Sequence, residues 1–227
     1  KILPENYFIL YKPRDIVSGD FYWIAQKDNK TIITVADCTG HGVPGAFMSM
    51  LGISFLNEIV NSNNISNADE ILNKLREHVI KALHQTGETG ENKDGMDIAM
   101  CVIDFDTQKL QFAGAYNPLY LVRNDELLHF KADKMPIGIY FKGDKAFSCQ
   151  EIDIEKGDSI YVFSDGYVDQ FGGEDNSKFK SKQFKQLLID IQKHSMSDQK
   201  EILDKTIEKW KGKNEQIDDI LVMGIKL

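Results

Sequence analysis

The chain has 227 residues, 42% of them hydrophobic, with 27 Lys and Arg against 35 Asp and Glu for a formal net charge of −8. That hydrophobic share excludes a disordered chain, and the length fits one large domain or two small ones. The acidic balance and the lack of a Lys/Arg cluster argue against nucleic acid as a partner, and no run of eighteen apolar residues offers a membrane span. Cys38, Cys101 and Cys149 are odd in number and lack metal-ligand spacing, so they read as reduced thiols of a cytoplasmic domain. No signal-peptide pattern opens the chain. Lys rather than Met stands first, so the segment is expected to come from a longer protein.

In chain order, Asn6 to Lys12 reads as a short strand, and Asp20 to Gln26 resumes one rich in aromatics. Asp28-Asn29 is a hairpin turn into a strand carrying Ile32, Ile33 and Val35 and ending in a carboxylate, Asp37. Thr39-Gly40-His41-Gly42 follows, its glycines permitting close backbone approach. A helix from Pro44 to about Val60 is apolar on most faces and is expected to be buried. Ser66 and Asp69 form a capping box for a second helix with Ala68, Ile71, Leu72, Leu75, Val79 and Leu83 at helical spacing. Thr86 to Asp94 is polar and glycine-containing, as expected of a mobile loop.

The period then changes to strands: Ile98 to Phe105, Leu110 to Ala113, Leu119 to Val122, Leu127 to Phe130, Phe147 to Ile154 and Ser159 to Phe163. Asp165 follows the last of these. Two amphipathic helices come next, one with Phe184, Leu187, Leu188 and Ile191, the other with Ile202, Leu203, Ile207 and Trp210. Ile220 to Lys226 is the final strand. No repeat or linker divides the chain, so the pattern predicts one layered α+β domain with mostly antiparallel sheets.

Asp20, Asp37, Asp165 and the Asp218-Asp219 pair each stand at the edge of a hydrophobic strand. One such acid is ordinary turn chemistry. Four sites of this kind match what hard divalent cations such as magnesium or manganese require. The helix after Gly42 also turns its N-terminus, with free N–H groups and a positive dipole, toward the Asp37 loop.

The segments SGDFYW, ADCTGHGVPGA, DGMDIAMCVID, GAYNPLYLV, MPIG, GDSIYVFSDGYVD and DDILVMGI together resemble the SpoIIE-like (RsbU-like) branch of the metal-dependent PPM serine/threonine protein phosphatases. The likeness runs from about Tyr7 to Lys226, with the motifs in family order. It implies a four-layer α-β-β-α sandwich over residues 1–227, the C-terminal domain of a signalling protein. It implies hydrolysis of phosphoserine or phosphothreonine by water activated between two Mn2+ or Mg2+ ions. Asp37 would bridge the ions, the Cys38 carbonyl would serve one, and Asp165 and Asp218 would bind the other. Asp20 would orient water or bind from further out. The implied partner is a phosphorylated protein such as an anti-anti-sigma-like (STAS) domain. An N-terminal sensor domain and homodimerisation also fit the branch.

Several residues admit two readings. His41 could be the general acid toward the leaving alkoxide or a structural loop residue. Arg14 could clamp phosphate, but its offset from Asp20 departs from the family's eukaryotic branch and favours a surface role. Asp97 could serve a third, weak metal, though a turn role is favoured. Asp169 reads as structural, and Asp219 as the outward member of its pair. Cys38 as a nucleophile is disfavoured, since no phosphate-cradling loop surrounds it. A catalytically inactive interaction module and a hydrolase of small phosphoesters are the competing functional classes.

Overall fold

The computed structural model describes residues 6–62, 65–88, 93–141 and 145–227. In chain order the elements are β1 (Tyr7–Lys12), β2 (Phe21–Lys27), β3 (Lys30–Cys38), α1 (Gly42–Ser62), α2 (Ala68–Ala82), β4 (Met96–Asp104), β5 (Lys109–Ala115), β6 (Leu119–Arg123) and β7 (Glu126–Phe130). Then come β8 (Gln150–Asp153), β9 (Ser159–Phe163), α3 (Gly166–Asp169), β10 (Phe171–Gly172), β11 (Ser177–Lys178), α4 (Lys180–Ile191), α5 (Met196–Lys211) and β12 (Ile220–Lys226).

Two antiparallel sheets lie face to face, one in the order β1-β12-β9-β6-β7 and the other β2-β3-β4-β5-β8. Their central strands β3, β4, β9 and β12 are apolar along nearly their whole length because both faces are covered. Ile33, Val35, Ala99, Phe112, Leu121, Val162, Leu221 and Met223 fill the space between the sheets. On the far side of the second sheet, Leu56 and Ile59 of α1 and Ile71, Leu72 and Leu75 of α2 meet Ile32, Met100 and Ala113. On the far side of the first, Phe184 and Leu188 of α4 and Leu203 and Ile207 of α5 meet Tyr161, Phe163 and Val222. This is the α-β-β-α sandwich expected from the sequence. The Asp28-Asn29 hairpin is also as expected, with φ of 49° and 63° at its two residues.

Three local expectations need correction. α1 is not enclosed: Val43, Phe47 and Met50 are 62%, 65% and 68% exposed, because α2 and the sheet cover only the face carrying Met48, Ser49, Leu56 and Ile59. Its length and composition would also suit a bilayer, but one face of it packs on β2, β3 and α2. The Ser66–Asp69 capping box is absent. Asn67 is the N-cap instead, and its amide donates to Glu70 at 3.1 Å. The strand foreseen from Phe147 to Ile154 shrinks to β8, because Phe147 and Ser148 donate their N–H groups to the Asn73 and Asp133 side chains. Part of the loop foreseen from Thr86 to Asp94, residues 89–92, lies outside the described residues.

Candidate metal centre

Sheet register brings together acids that are remote in sequence. Asp37 on β3 stands opposite Asp97 on β4. Phe21 pairs with Ala36, so one step further Asp20 comes opposite Asp37. Ile98 pairs with Ala115, the last residue of β5, and Tyr116 follows it within electrostatic reach of Asp97. Opposed residues share a face with Cβ atoms about 5 Å apart. Asp20, Asp37 and Asp97 therefore form a row across one end of the second sheet, with Tyr116 just past the end of β5 beside Asp97. The first sheet ends beside it. There Ser164 N donates to Leu221 O at 2.9 Å, setting Asp165 and Asp218 at neighbouring strand ends.

The carboxyls feel one another. Burial, then the charges of Asp20, Asp165, Asp218 and Asp97, push Asp37 far above the usual carboxylate range. Burial raises Asp20 as well. The Ser164 hydroxyl opposes that rise, and Asp219, Asp218 and Asp165 add to it. Asp97 is raised to about 7 by burial and by Asp165. Asp165 is raised by burial and by Asp218, against a hydrogen bond with Asp37. Asp218 is raised by burial, although the Asp219 N–H, His41 and Arg14 all pull it down. Asp20 is 2% exposed, and its Oδ2 has no hydrogen-bond partner. Among the described residues, no three acids, cysteines or histidines already converge as a cation cage.

The surrounding loops are tied to one another. Asp219 is buried and accepts from Arg14 N at 2.7 Å and Gly19 N at 2.8 Å, closing the β1–β2 loop onto the start of β12. Ser49 of α1 donates to Gly19 O at 2.6 Å and lies 3.0 Å from Gly45 O. A Cβ on Gly45 would lie 2.2 Å from Gly40 O, so helix and loop touch backbone to backbone. Thr39 N donates to Gly95 O at 3.0 Å, fixing the Asp37 loop to β4. At the exposed rim, His41 Nδ1 lies 2.8 Å from Asp15 Oδ2.

The sequence profile of the Stage II sporulation protein E (SpoIIE) family matches residues 27–227. The SiaA PP2C domain of Pseudomonas aeruginosa superposes with a TM-score of 0.88 at 31% identity, over 97% of this chain and 85% of that one. The chain belongs to the SpoIIE family of PP2C-type phosphatase domains. Two further structures share the fold. One holds the RsbU and RsbW domains of a Mycobacterium tuberculosis protein (TM-score 0.72, 19% identity, 97% of this chain and 60% of that one). The other is RsbX in complex with magnesium (0.65, 13%, 97% and 94%). A search of curated proteins gives no significant match.

Within this SpoIIE-family domain, Asp20, Asp37, Asp165 and Asp218 are brought together, and His41 stands on their rim. Cys38 is adjacent, but its thiol is buried in the core and raised by burial, which makes it a poor nucleophile. Arg14 is exposed as expected, its guanidinium donating to Ile217 O at 2.9 Å. Asp169 pairs with Lys178 at 2.7 Å, outside the row. Two expectations are overturned. Asp219 is not outward: it is 2% exposed and holds two backbone N–H groups. Asp97 is not a turn residue, because β4 runs through it and sets it opposite Asp37. No spacing in the sequence singles out Tyr116; its place beside Asp97 follows from the pairing of β4 with β5.

Proposed function

We propose that this domain is a metal-dependent phosphatase that removes phosphate from phosphoserine or phosphothreonine of a signalling partner protein. The observation that carries the reading is the row of buried, mutually repelling carboxyls with an unpartnered oxygen on Asp20. Such a set is completed by positive charge, and its all-oxygen donors suit Mg2+ or Mn2+ rather than softer ions. Asp37, the Cys38 carbonyl, Asp20, Asp165 and Asp218 are the groups that would hold two such ions. Cations bound there supply Lewis acidity, making water nucleophilic near neutral pH and offsetting phosphoryl charge.

The chain's own residues do the rest. Asp20, reaching in from the β1–β2 loop, would orient the attacking water. Asp15 holds His41 Nδ1, so Nε2 is the ring atom available to protonate the leaving alkoxide. The reading includes a partner-switching setting with a STAS-type phosphoprotein as substrate and an attached regulatory domain; among the proteins of like fold, one joins RsbU and RsbW domains and another carries a fragment of a regulatory domain. The test is phosphate release from a phosphoserine peptide. We expect turnover with added Mn2+ or Mg2+, none in excess chelator, and none on nucleotides. Full activity in chelator would refute the reading.

A further inference from the structure

The acidic row ends at Tyr116, a residue with an unusual backbone. Its φ is +56°, in the left-handed region that costs a residue with a Cβ about 1–2 kcal/mol. Elsewhere among the described residues that conformation falls on Asp28, Asn29, Asn124, Asp125 and Asn176, which tolerate it, and on His84, Gln108 and Lys180. Tyr116 is the one Phe, Tyr or Trp among them. Its ring is not there to fill the core, since it is 47% exposed. The backbone is pinned on both sides: Tyr116 N donates to Asp133 O at 2.9 Å, and Asn117 N to Ala115 O at 2.6 Å. The next side chain, Asn117, is 7% exposed, and its Nδ2 has no hydrogen-bond partner. Strain and unpaired buried donors are expensive, and folded chains concentrate them where a ligand is met.

Tyr116 directly follows Ala115, the β5 partner of Ile98, and so stands next to Asp97, near enough for the carboxylate to influence the phenol. Tyr140 reaches the same spot. The carboxyl row leads from Asp20 through Asp37 to Asp97, and an exposed aromatic ring closes it. A peptide leaving the site on this side would meet that ring.

We propose that Tyr116 is a substrate-contact residue whose ring packs against the peptide flanking the phosphorylated side chain. This rests on the phosphatase reading above. A neutral aromatic surface suits a peptide backbone and apolar flanking residues. It adds nothing for inorganic phosphate or a small phosphoester.

The test compares Tyr116→Asn and Tyr116→Phe with the unmodified chain, using a fluorescent phosphoserine peptide and free O-phosphoserine, which has no ring to stack. Asn adopts the left-handed conformation readily, so Tm should stay within about 2 °C or rise. Peptide KM, and the Kd read by anisotropy, should rise about tenfold in Tyr116→Asn, equivalent to ~1.4 kcal/mol. Turnover of free O-phosphoserine should stay within about twofold. Tyr116→Phe keeps the ring and should restore peptide binding. The proposal is overturned if Tyr116→Asn binds the peptide as tightly as the unmodified chain, if it loses both substrates alike, or if Phe fails to rescue. Anisotropy separates the two claims: a peptide bound through Tyr116 but never hydrolysed would sink the phosphatase reading alone.

Discussion

Asp219 looks redundant beside Asp218, yet the two do different work. Asp218 faces the other acids, while Asp219 turns into the protein to hold Arg14 N and Gly19 N. Asp219→Ala leaves two backbone donors short of an acceptor next to Asp20, a cost of about 1–3 kcal/mol. Thermal unfolding should show a lower Tm, and Mn2+ titration a weaker site. An unchanged Tm would mean that the β1–β2 loop holds itself. The sequence did not reveal this division, because two adjacent acids at a strand start can face either way. What decides it is a loop about 200 residues away in the chain, folding back to offer its N–H groups. Asp97 misled for a similar reason: a Gly-Met-Asp stretch resembles turn chemistry until its partner strand is known.

The same acids make a pH prediction. Asp97 has a folded pKa of about 7, above the ordinary value of 3.8, and burial raises Asp37, Asp20, Asp165 and Asp218 in the same direction. A carboxyl whose folded pKa is raised stabilises the fold below its unfolded pKa, and that contribution is lost as pH rises through the folded value. In chelator, Tm should therefore fall between about pH 5 and pH 8 as these groups lose their protons. Mn2+ should reverse the fall at the upper end, because binding to the folded state stabilises it. A metal-free Tm that climbs over that range would contradict the coupling.

At the scale of elements, α1 is the helix that touches the site. Ser49 binds the Gly19 carbonyl, and Gly45 lets the helix backbone rest on Gly40. Gly45→Ala would set a Cβ 2.2 Å from Gly40 O and 2.8 Å from Gly19 Cα, both backbone atoms that cannot swing aside. The cost is about 1–3 kcal/mol of overpacking. The displaced loop should also lower phosphate release more than the loss of stability explains. Activity matching the unmodified chain would show that the contact is not needed. The existence of α1 was readable from helical spacing after the GHG turn, but its exposed face was not. Apolar residues all round say nothing about which of them a neighbour covers. α3 and the β10–β11 hairpin were missed because four and two residues carry no periodicity. They are set by tertiary contacts, such as Gly173 N donating to Trp210 O at 2.9 Å.

At the scale of the molecule, the two facing sheets were legible because their inner strands are unbroken apolar runs ending in turn residues. The candidate site was legible because three of those runs, and the edge strand β2, carry an acid at one end. Alignment of the strand ends supplies what spacing could not, namely that Asp20, Asp37 and Asp97 lie side by side and that Asp165 and Asp218 close on them from the other sheet. The central claim is that this acid row, not the neighbouring thiol, does the chemistry. It is tested most directly by phosphate release from a phosphoserine peptide in Mn2+, comparing Asp37→Asn with Cys38→Ala. The account predicts that Asp37→Asn loses at least about a hundredfold in kcat/KM, as removal of a key electrostatic group does. Cys38→Ala keeps the backbone carbonyl and should lose little. An active Asp37→Asn alongside a dead Cys38→Ala would contradict the account and require a thiol mechanism.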